Sequence, residues 1–177
     1  MKKTAKKSVQ MKSIPLPPLA PKPGIFYSPV NAFAAPGLQG RNAITLANSS
    51  AGILEVTAHD PVHFDSLQWV AIALPVALGT PIKGLSVCYQ IVYPGGIRPG
   101  RTYIVNPSLL ELSPRGVSSN LLSDNMQLNA SLPTTYTTSA GLAANKTVVG
   151  PLTCLLQIVI GDPQDVILIN GIKLVTG

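Results

Sequence analysis

Short apolar runs, separated by Pro, Gly, Asn and Asp, follow one another along the chain from about residue 40 onward. Runs of this length, rich in β-branched residues and bounded by turn residues, predict β-strands. The predicted strands are Ala43 to Ala47, Ile53 to Ala58, Gln68 to Leu74, Leu85 to Tyr93, Thr102 to Val105, Leu109 to Leu112, Met126 to Leu132, Thr134 to Ser139, Leu152 to Ile160 and Asp165 to Val175. Helical periodicity is almost absent, and only residues 117–126 suit a helical turn or two.

Three of these runs indicate how the strands are buried. In LSVCYQIVY, residues 85–93, every second position is a large apolar residue, which predicts an antiparallel strand with one buried face. LTCLLQIVI, residues 152–160, is apolar on both faces and is therefore predicted to be central. Gly171 interrupts the last run and predicts a bulge or bend, and GDPQD before that run predicts a turn.

These patterns predict an all-β protein with a two-sheet antiparallel β-sandwich and an extended N-terminal arm. Strand number and chain length favour a jelly roll, although an immunoglobulin-like sandwich stays open because the sequence does not determine the strand connections. The predicted organisation is a basic, proline-rich arm over residues 1–36 and one β-sandwich domain over residues 37–177.

The arm contains 7 of the 17 prolines, so it is predicted to be extended and polyproline-like rather than helical. Three interpretations compete for it: a linker, a segment that docks on a neighbouring subunit, and a proline-rich ligand for an SH3-like partner. Apolar residues along the arm favour docking, because a solvated linker does not need them. These residues are Ile14, Leu16, Leu19, Ile25, Phe26 and Tyr27.

The whole net charge of +6 lies in the first 22 residues. Six of the 13 basic residues are in this segment, and the remaining seven balance the seven Asp and Glu of the body. A basic segment beside a neutral body suggests that one part contacts polyanions and the other contacts copies of itself. The residues predicted to contact nucleic acid or another anion are Lys2, Lys3, Lys6, Lys7, Lys12 and Lys22.

The sequence also indicates the cellular compartment and the state of the cysteines. Pro75 and Pro81 interrupt the longest apolar stretch, so no membrane-spanning helix is predicted. Lysines occupy the place where a signal peptide needs an apolar core, which predicts an intracellular or virion protein. Cys88 and Cys154 lie inside predicted strands and are interpreted as buried free thiols.

Candidate sites for chemistry are few. His59 and His63 with Asp60 and Asp65 form the only set of metal-ligand type, but Pro61 argues against the helix that an H-x₃-H pair requires, so no metal is predicted. No nucleophile elbow, phosphate-binding loop or evident carboxylate pair is present, and the protein is predicted to be neither an enzyme nor a cofactor binder.

Two further groups suggest binding. PGGIRPGR, residues 94–101, is predicted to be a long hairpin connection whose Arg98 and Arg101 contact an anion or a subunit, or are simply solvated. The aromatic residues available for a lectin-like platform are Trp69, Tyr89, Tyr93, Tyr103 and Tyr136.

The layout of the chain resembles that of single jelly-roll coat proteins of small icosahedral viruses, in which a basic arm faces packaged nucleic acid and the sandwich tiles the shell. IKGLSVCYQIV and LLQIVIGDPQDVILINGIKLV also look like uncharacterised bacterial β-sandwich proteins. The resemblance implies a self-assembling, capsid-like structural protein whose partners are copies of itself and, through the arm, nucleic acid. The alternative is an oligomeric lectin-like or other ligand-binding β-sandwich module.

Overall fold

A computed structural model describes residues 24–35, 44–59, 67–96 and 101–177 of the chain. Within these ranges the strands are β1 (Gly24–Tyr27), β2 (Ala32–Ala35), β3 (Ile44–Asn48), β4 (Leu54–Ala58), β5 (Gln68–Leu74), β6 (Ile82–Val92), β7 (Tyr103–Leu112), β8 (Ser118–Ser123), β9 (Gln127–Leu128), β10 (Thr134–Thr138), β11 (Leu152–Val159) and β12 (Val166–Thr176). The described ranges also contain a short 3-10 helix, Pro29–Asn31. No helix in them is long and apolar enough to cross a membrane.

The strands form two antiparallel sheets that pack as a sandwich. Sheet I has the order β10-β6-β12-β4-β3, and β1 pairs with β12. Sheet II has the order β2-β5-β11-β7-β8, and β9 pairs with β7. The sets β10-β6-β12-β4 and β5-β11-β7-β8 have the strand order of a jelly roll, which confirms the predicted fold class.

Alternation of apolar residues along the strands builds the core between the sheets. In β6, Leu85, Val87, Tyr89 and Ile91 are all at most 3% exposed, as the pattern predicted. Strand β11 is central in sheet II, between β5 and β7, and its Leu156 is fully buried. The two inward faces thus supply one continuous apolar core.

The twelve residues of the arm that the structure describes belong to both sheets. Strand β1 pairs with β12 just beyond the end of β4, and β2 pairs with β5 at the edge of sheet II. Residues 24–35 therefore dock on their own sandwich, where strand pairing satisfies backbone groups that a polyproline-like conformation leaves to water. Residues 1–23, with the predicted lysine contacts, lie outside the described ranges.

The structure corrects three local predictions. Residues 118–123 form β8 rather than a helical turn, because they pair with the edge of β7. The two predicted strands around Pro107 are one strand, in which a bulge leaves this proline, which has no N–H, out of the ladder. Residues 94–101 connect β6 of sheet I to β7 of sheet II and are not a hairpin connection.

Two turn and bulge predictions are confirmed. The pairing of β12 with β6 shifts register between Ile169 and Gly171, so the interruption in the last apolar run is a bulge. In the turn before β12, the N–H of Asp165 donates to the Asp162 carbonyl at 3.0 Å, and the N–H of Gln164 donates to Asp162 Oδ1 at 3.0 Å.

Candidate functional site

The outward side of sheet II is built by the same alternation that builds the core. In β5, Val70, Ile72 and Leu74 point inward and are at most 3% exposed. Alternation places Trp69, Ala71 and Ala73 on the outward side, although Ala71 is itself only 2% exposed. The register with β11 places these three opposite Gln157, Leu155 and Thr153. Regular pairing therefore sets apolar and polar side chains in rows across the sheet.

Three aromatic side chains lie on this outward side. Phe33, 55% exposed, is opposite Ala71, and Tyr103 is opposite Val159 at the far side of β11. Strand spacing and rise place Phe33 about 8 Å from Trp69 and Tyr103 about 12 Å from it, measured between Cα positions. The three rings follow one diagonal across four strands. We call the outward side of sheet II the aromatic face, defined by Phe33, Trp69 and Tyr103.

The aromatic face carries no charged side chain at its described positions. Among the strands of sheet II, the sole charged residue is Glu111, and its side chain is 2% exposed and points inward. Lys146 Nζ lies 2.6 Å from Glu111 Oε2, and the Val149 N–H donates to Oε1 at 2.7 Å. By contrast, strands of sheet I contain Glu55, Lys83 and Lys173.

Amide side chains complete the aromatic face. Gln157 lies between Trp69 and Val105, and Gln127 pairs with Val105 on its other side. Within the described part of the chain, neither side-chain amide makes a hydrogen bond, so both are available to a ligand. Gln90 of sheet I differs, because its Nε2 already donates to the Ser131 carbonyl at 3.0 Å.

An apolar groove adjoins one end of the aromatic face. Its volume is about 560 Å³, and its lining includes the outward pair Ala73 and Thr153. Pro75, Leu78 and Pro151 are also among the lining residues, and Leu78 is 71% exposed. The groove extends the surface on which a chain-like ligand can lie beyond the strands themselves.

Two carboxylates with altered pKa values serve the fold. Burial raises the pKa of Glu111, but the hydrogen bonds from Lys146 and Val149 and the charge of Lys146 outweigh it, so this pKa lies below its usual range. Hydrogen bonds from the hydroxyls of Thr138 and Tyr136 hold the pKa of Asp124 below its usual range. Both carboxylates join loops to strands.

The residues predicted as sites from the sequence are only partly visible. His59 follows β4 and is exposed, whereas its three predicted partners Asp60, His63 and Asp65 lie outside the described ranges. Among the described residues, no group of three His, Cys, Asp or Glu side chains is placed to hold a metal ion. Arg101 is exposed next to β7, and Arg98 lies outside the described ranges.

The predicted aromatic platform is divided by the fold. Trp69 and Tyr103 are on the aromatic face, but Tyr89 is 3% exposed in the core and Tyr136 donates to Asp124 Oδ2 at 2.5 Å. Tyr93 packs against the core beside Thr102. The sequence analysis missed Phe33, because it assigned the segment AFAA to the arm. The signal in the sequence was its place in a short apolar run followed by Pro and Gly.

Both cysteines are free thiols, as predicted, but only Cys154 is buried; the two lie in different sheets. Cys154 of β11 is fully buried, and burial raises its pKa to about 12. Cys88 of β6 is partly exposed, on the outward side of sheet I, with its Sγ 3.2 Å from Thr135 Oγ1.

Comparison with known proteins extends the description of the fold. The chain is similar to the xylan-binding module CBM15, with a TM-score of 0.57 and 10% identity over 88% of this chain and 97% of that one. It is also similar to the family 11 carbohydrate-binding module of a cellulosomal cellulase of Clostridium thermocellum, with a TM-score of 0.51 and 12% identity over 89% of this chain and 97% of that one.

A third similar structure is the enzymatically active domain of tailspike protein 4 of bacteriophage CBA120. The TM-score is 0.49, the identity is 9%, and the match covers 81% of this chain but 19% of the tailspike chain. No protein-family model matches the sequence, and no curated protein matches it significantly. The protein is thus an all-β sandwich of the architecture found in carbohydrate-binding modules.

Proposed function

We propose that the protein is a ligand-binding β-sandwich module that binds neutral carbohydrate on its aromatic face. The observation that carries the proposal is the diagonal of Phe33, Trp69 and Tyr103 on a face with no charged side chain among its described positions. This function corresponds to the lectin-like alternative of the sequence analysis. The similarity in fold to two carbohydrate-binding modules supports it.

The chemistry of sugars suits such a surface. A pyranose ring presents C–H groups on its faces and hydroxyl groups around its rim, so its faces stack on aromatic rings. Its hydroxyls both donate and accept hydrogen bonds, as do the primary amides of Gln127 and Gln157. A face without charge neither attracts nor repels a neutral chain, and it leaves no unpaired ion when the ligand displaces water.

We further propose that the module binds without catalysis. The two carboxylates whose pKa values are lowered, Glu111 and Asp124, are engaged in hydrogen bonds that hold loops to strands. Because these hydrogen bonds favour the ionised form, both carboxyl groups lose their protons more readily than usual, which does not suit a general acid. Incubation with soluble xylan should therefore release no reducing ends, and release that Glu111→Gln abolishes would contradict this part of the proposal.

Affinity electrophoresis in gels containing soluble xylan, mixed-linkage β-glucan or mannan tests binding. We expect at least one of these polymers to retard the wild type. The Trp69→Ala variant should bind that polymer about tenfold or more weakly, because a Trp that a ligand covers commonly contributes about 2 kcal/mol or more. Phe26→Ala is the control, since Phe26 is an aromatic residue on the outward side of sheet I, where it is 58% exposed.

Two results would contradict the proposal. One is the absence of retardation by every neutral polymer, and the other is equal loss of affinity in Trp69→Ala and Phe26→Ala. The capsid-like function stays a prediction that rests on the lysine arm, whose residues are outside the described ranges.

A further inference from the structure

One residue of sheet II has a backbone conformation that is rare outside glycine. Asn106 has a φ of +52° and occupies the bulge of β7, between Val105, which pairs with β9, and Ser108, which pairs with β8. Asn is among the few residues that adopt the left-handed region readily. Bulges of this type redirect a side chain from the position it has in a regular strand.

Two serine hydroxyls hold the oxygen atoms of this residue. Ser123 Oγ donates to Asn106 Oδ1 at 2.5 Å, and Ser108 Oγ donates to the Asn106 backbone carbonyl at 3.0 Å. Ser108 Oγ also lies 3.3 Å from Asn106 Oδ1. Because the amide oxygen is fixed in this way, the position of the amide nitrogen is fixed as well.

The amide nitrogen is left for another partner. Within the described ranges, Asn106 Nδ2 makes no hydrogen bond, although the residue is only partly exposed. Ser108 and Ser123 pair with each other on the outward side of sheet II, and Ser108 also pairs with Leu155, which lies opposite Ala71, two residues along β5 from Trp69. The free donor thus lies on the same side of the sheet as the aromatic rings.

We infer that Asn106 is a specificity-determining residue of the aromatic face, which donates from Nδ2 to a ring or hydroxyl oxygen of a neutral sugar stacked near Trp69. The inference rests on the proposed carbohydrate binding. Stacking on rings tolerates many sugars, whereas a fixed donor discriminates between sugars by whether an oxygen is within its reach. The bulge and the two serines therefore serve recognition, and a purely structural asparagine at a positive φ needs no free donor.

Two variants separate recognition from backbone requirements. Asn106→Gly accommodates the positive φ without strain and removes the amide, and Asn106→Asp keeps an acceptor for Ser123 while removing the N–H donors. We expect both to retain the melting temperature within a few degrees. In isothermal titration calorimetry, both variants should bind about tenfold more weakly than the wild type to the oligosaccharide that the wild type prefers. A tenfold loss corresponds to about 1.4 kcal/mol.

The ratio of affinities for two oligosaccharides is the readout that a structural role would not change. The wild type should discriminate between xylohexaose and cellohexaose, and both Asn106 variants should lose most of that discrimination, with Ser123→Ala intermediate. If the wild type binds but the Asn106 variants keep its affinity and its preference, the inference is wrong while the proposed function stands. If the wild type binds no neutral glycan, the proposed function itself has failed.

Discussion

The buried ion pair between Glu111 and Lys146 gives the most direct test of how the two sheets are joined. Glu111 lies in β7 of sheet II, and Lys146 belongs to a segment that also bonds to the start of β6 in sheet I, where the Ile82 N–H donates to the Lys146 carbonyl at 2.8 Å. The Glu111 side chain is 2% exposed, against 23% for Lys146. Removing the charge of Glu111 should therefore loosen this junction.

The expected cost follows from the bonds that Glu111→Gln changes. Gln retains an acceptor for the Val149 N–H, but that bond becomes neutral, and its Nε2 cannot accept from Lys146. Hydrogen bonds to charged groups contribute about 1.5–3 kcal/mol and neutral ones about 0.5–1.5 kcal/mol, so the variant should lose about 2–3 kcal/mol. In a chain of this size that loss corresponds to a melting temperature lower by about 5–10 °C.

The effect should depend on pH in a defined direction. The pKa of Glu111 is lower in the folded protein than its usual value of 4.5, so the stabilisation is complete above that value and is lost as pH falls through the folded-state pKa. Urea unfolding, followed by the fluorescence of Trp69, should show the full difference between wild type and Glu111→Gln at pH 7. The difference should shrink progressively as pH is lowered from 4.5 toward 3.

A matched variant completes the test. Lys146→Met keeps most of the apolar stem and removes the charge, and the double variant with Glu111→Gln should cost less than the sum of the single variants, because both remove one shared interaction. A cost below about 0.5 kcal/mol for Glu111→Gln, or a cost equal at pH 3 and pH 7, would refute this account of the junction.

Three further predictions concern the core and the sheets. Leu156→Ala, at a fully buried position of β11, should lower the free energy of unfolding by about 3–4 kcal/mol in urea titrations without changing the slope; a loss under 1 kcal/mol would contradict the packing. A thiol reagent should modify Cys88 in the native protein and Cys154 only after unfolding; rapid native reaction of Cys154, whose pKa is about 12, would contradict its burial. Gly171→Val should displace the Phe26 ring, which occupies the position of the new Cβ, and should speed proteolysis of β1 measured by mass spectrometry. Unchanged cleavage would show that β1 does not depend on this contact.

The fold class was predictable because alternation and turn residues leave a strong signal in sandwich proteins. LSVCYQIVY specified a one-sided strand, and the long apolar run LTCLLQIVI specified a central strand, although its outward face carries Thr153 and Gln157 and is only partly buried. The polar strand β8 was missed because its residues, SSNLLS, have no alternation, and it pairs only at an edge. At this edge, pairing with β7 determines that residues 118–123 form a strand, which their own sequence does not indicate.

The candidate site was predictable only in part. Trp69 and Tyr103 were named as aromatic candidates, but their common face depends on a register in which β5 and β7 lie on opposite sides of β11. That register is a long-range property, and one residue of slip would turn either side chain to the other face. Asn106 could not be recognised for the same reason, since the role proposed for it depends on a bulge in the pairing of β7 with β11.

Mapping of the binding surface tests the central claim most directly. Backbone amide shifts in ¹⁵N-labelled protein should be recorded while xylohexaose, cellohexaose or mannohexaose is added. We predict that the shifts of at least one titration cluster at Phe33, Trp69, Tyr103 and Gln157, on the aromatic face. Shifts confined to sheet I, or none with any of these neutral sugars, would contradict the account.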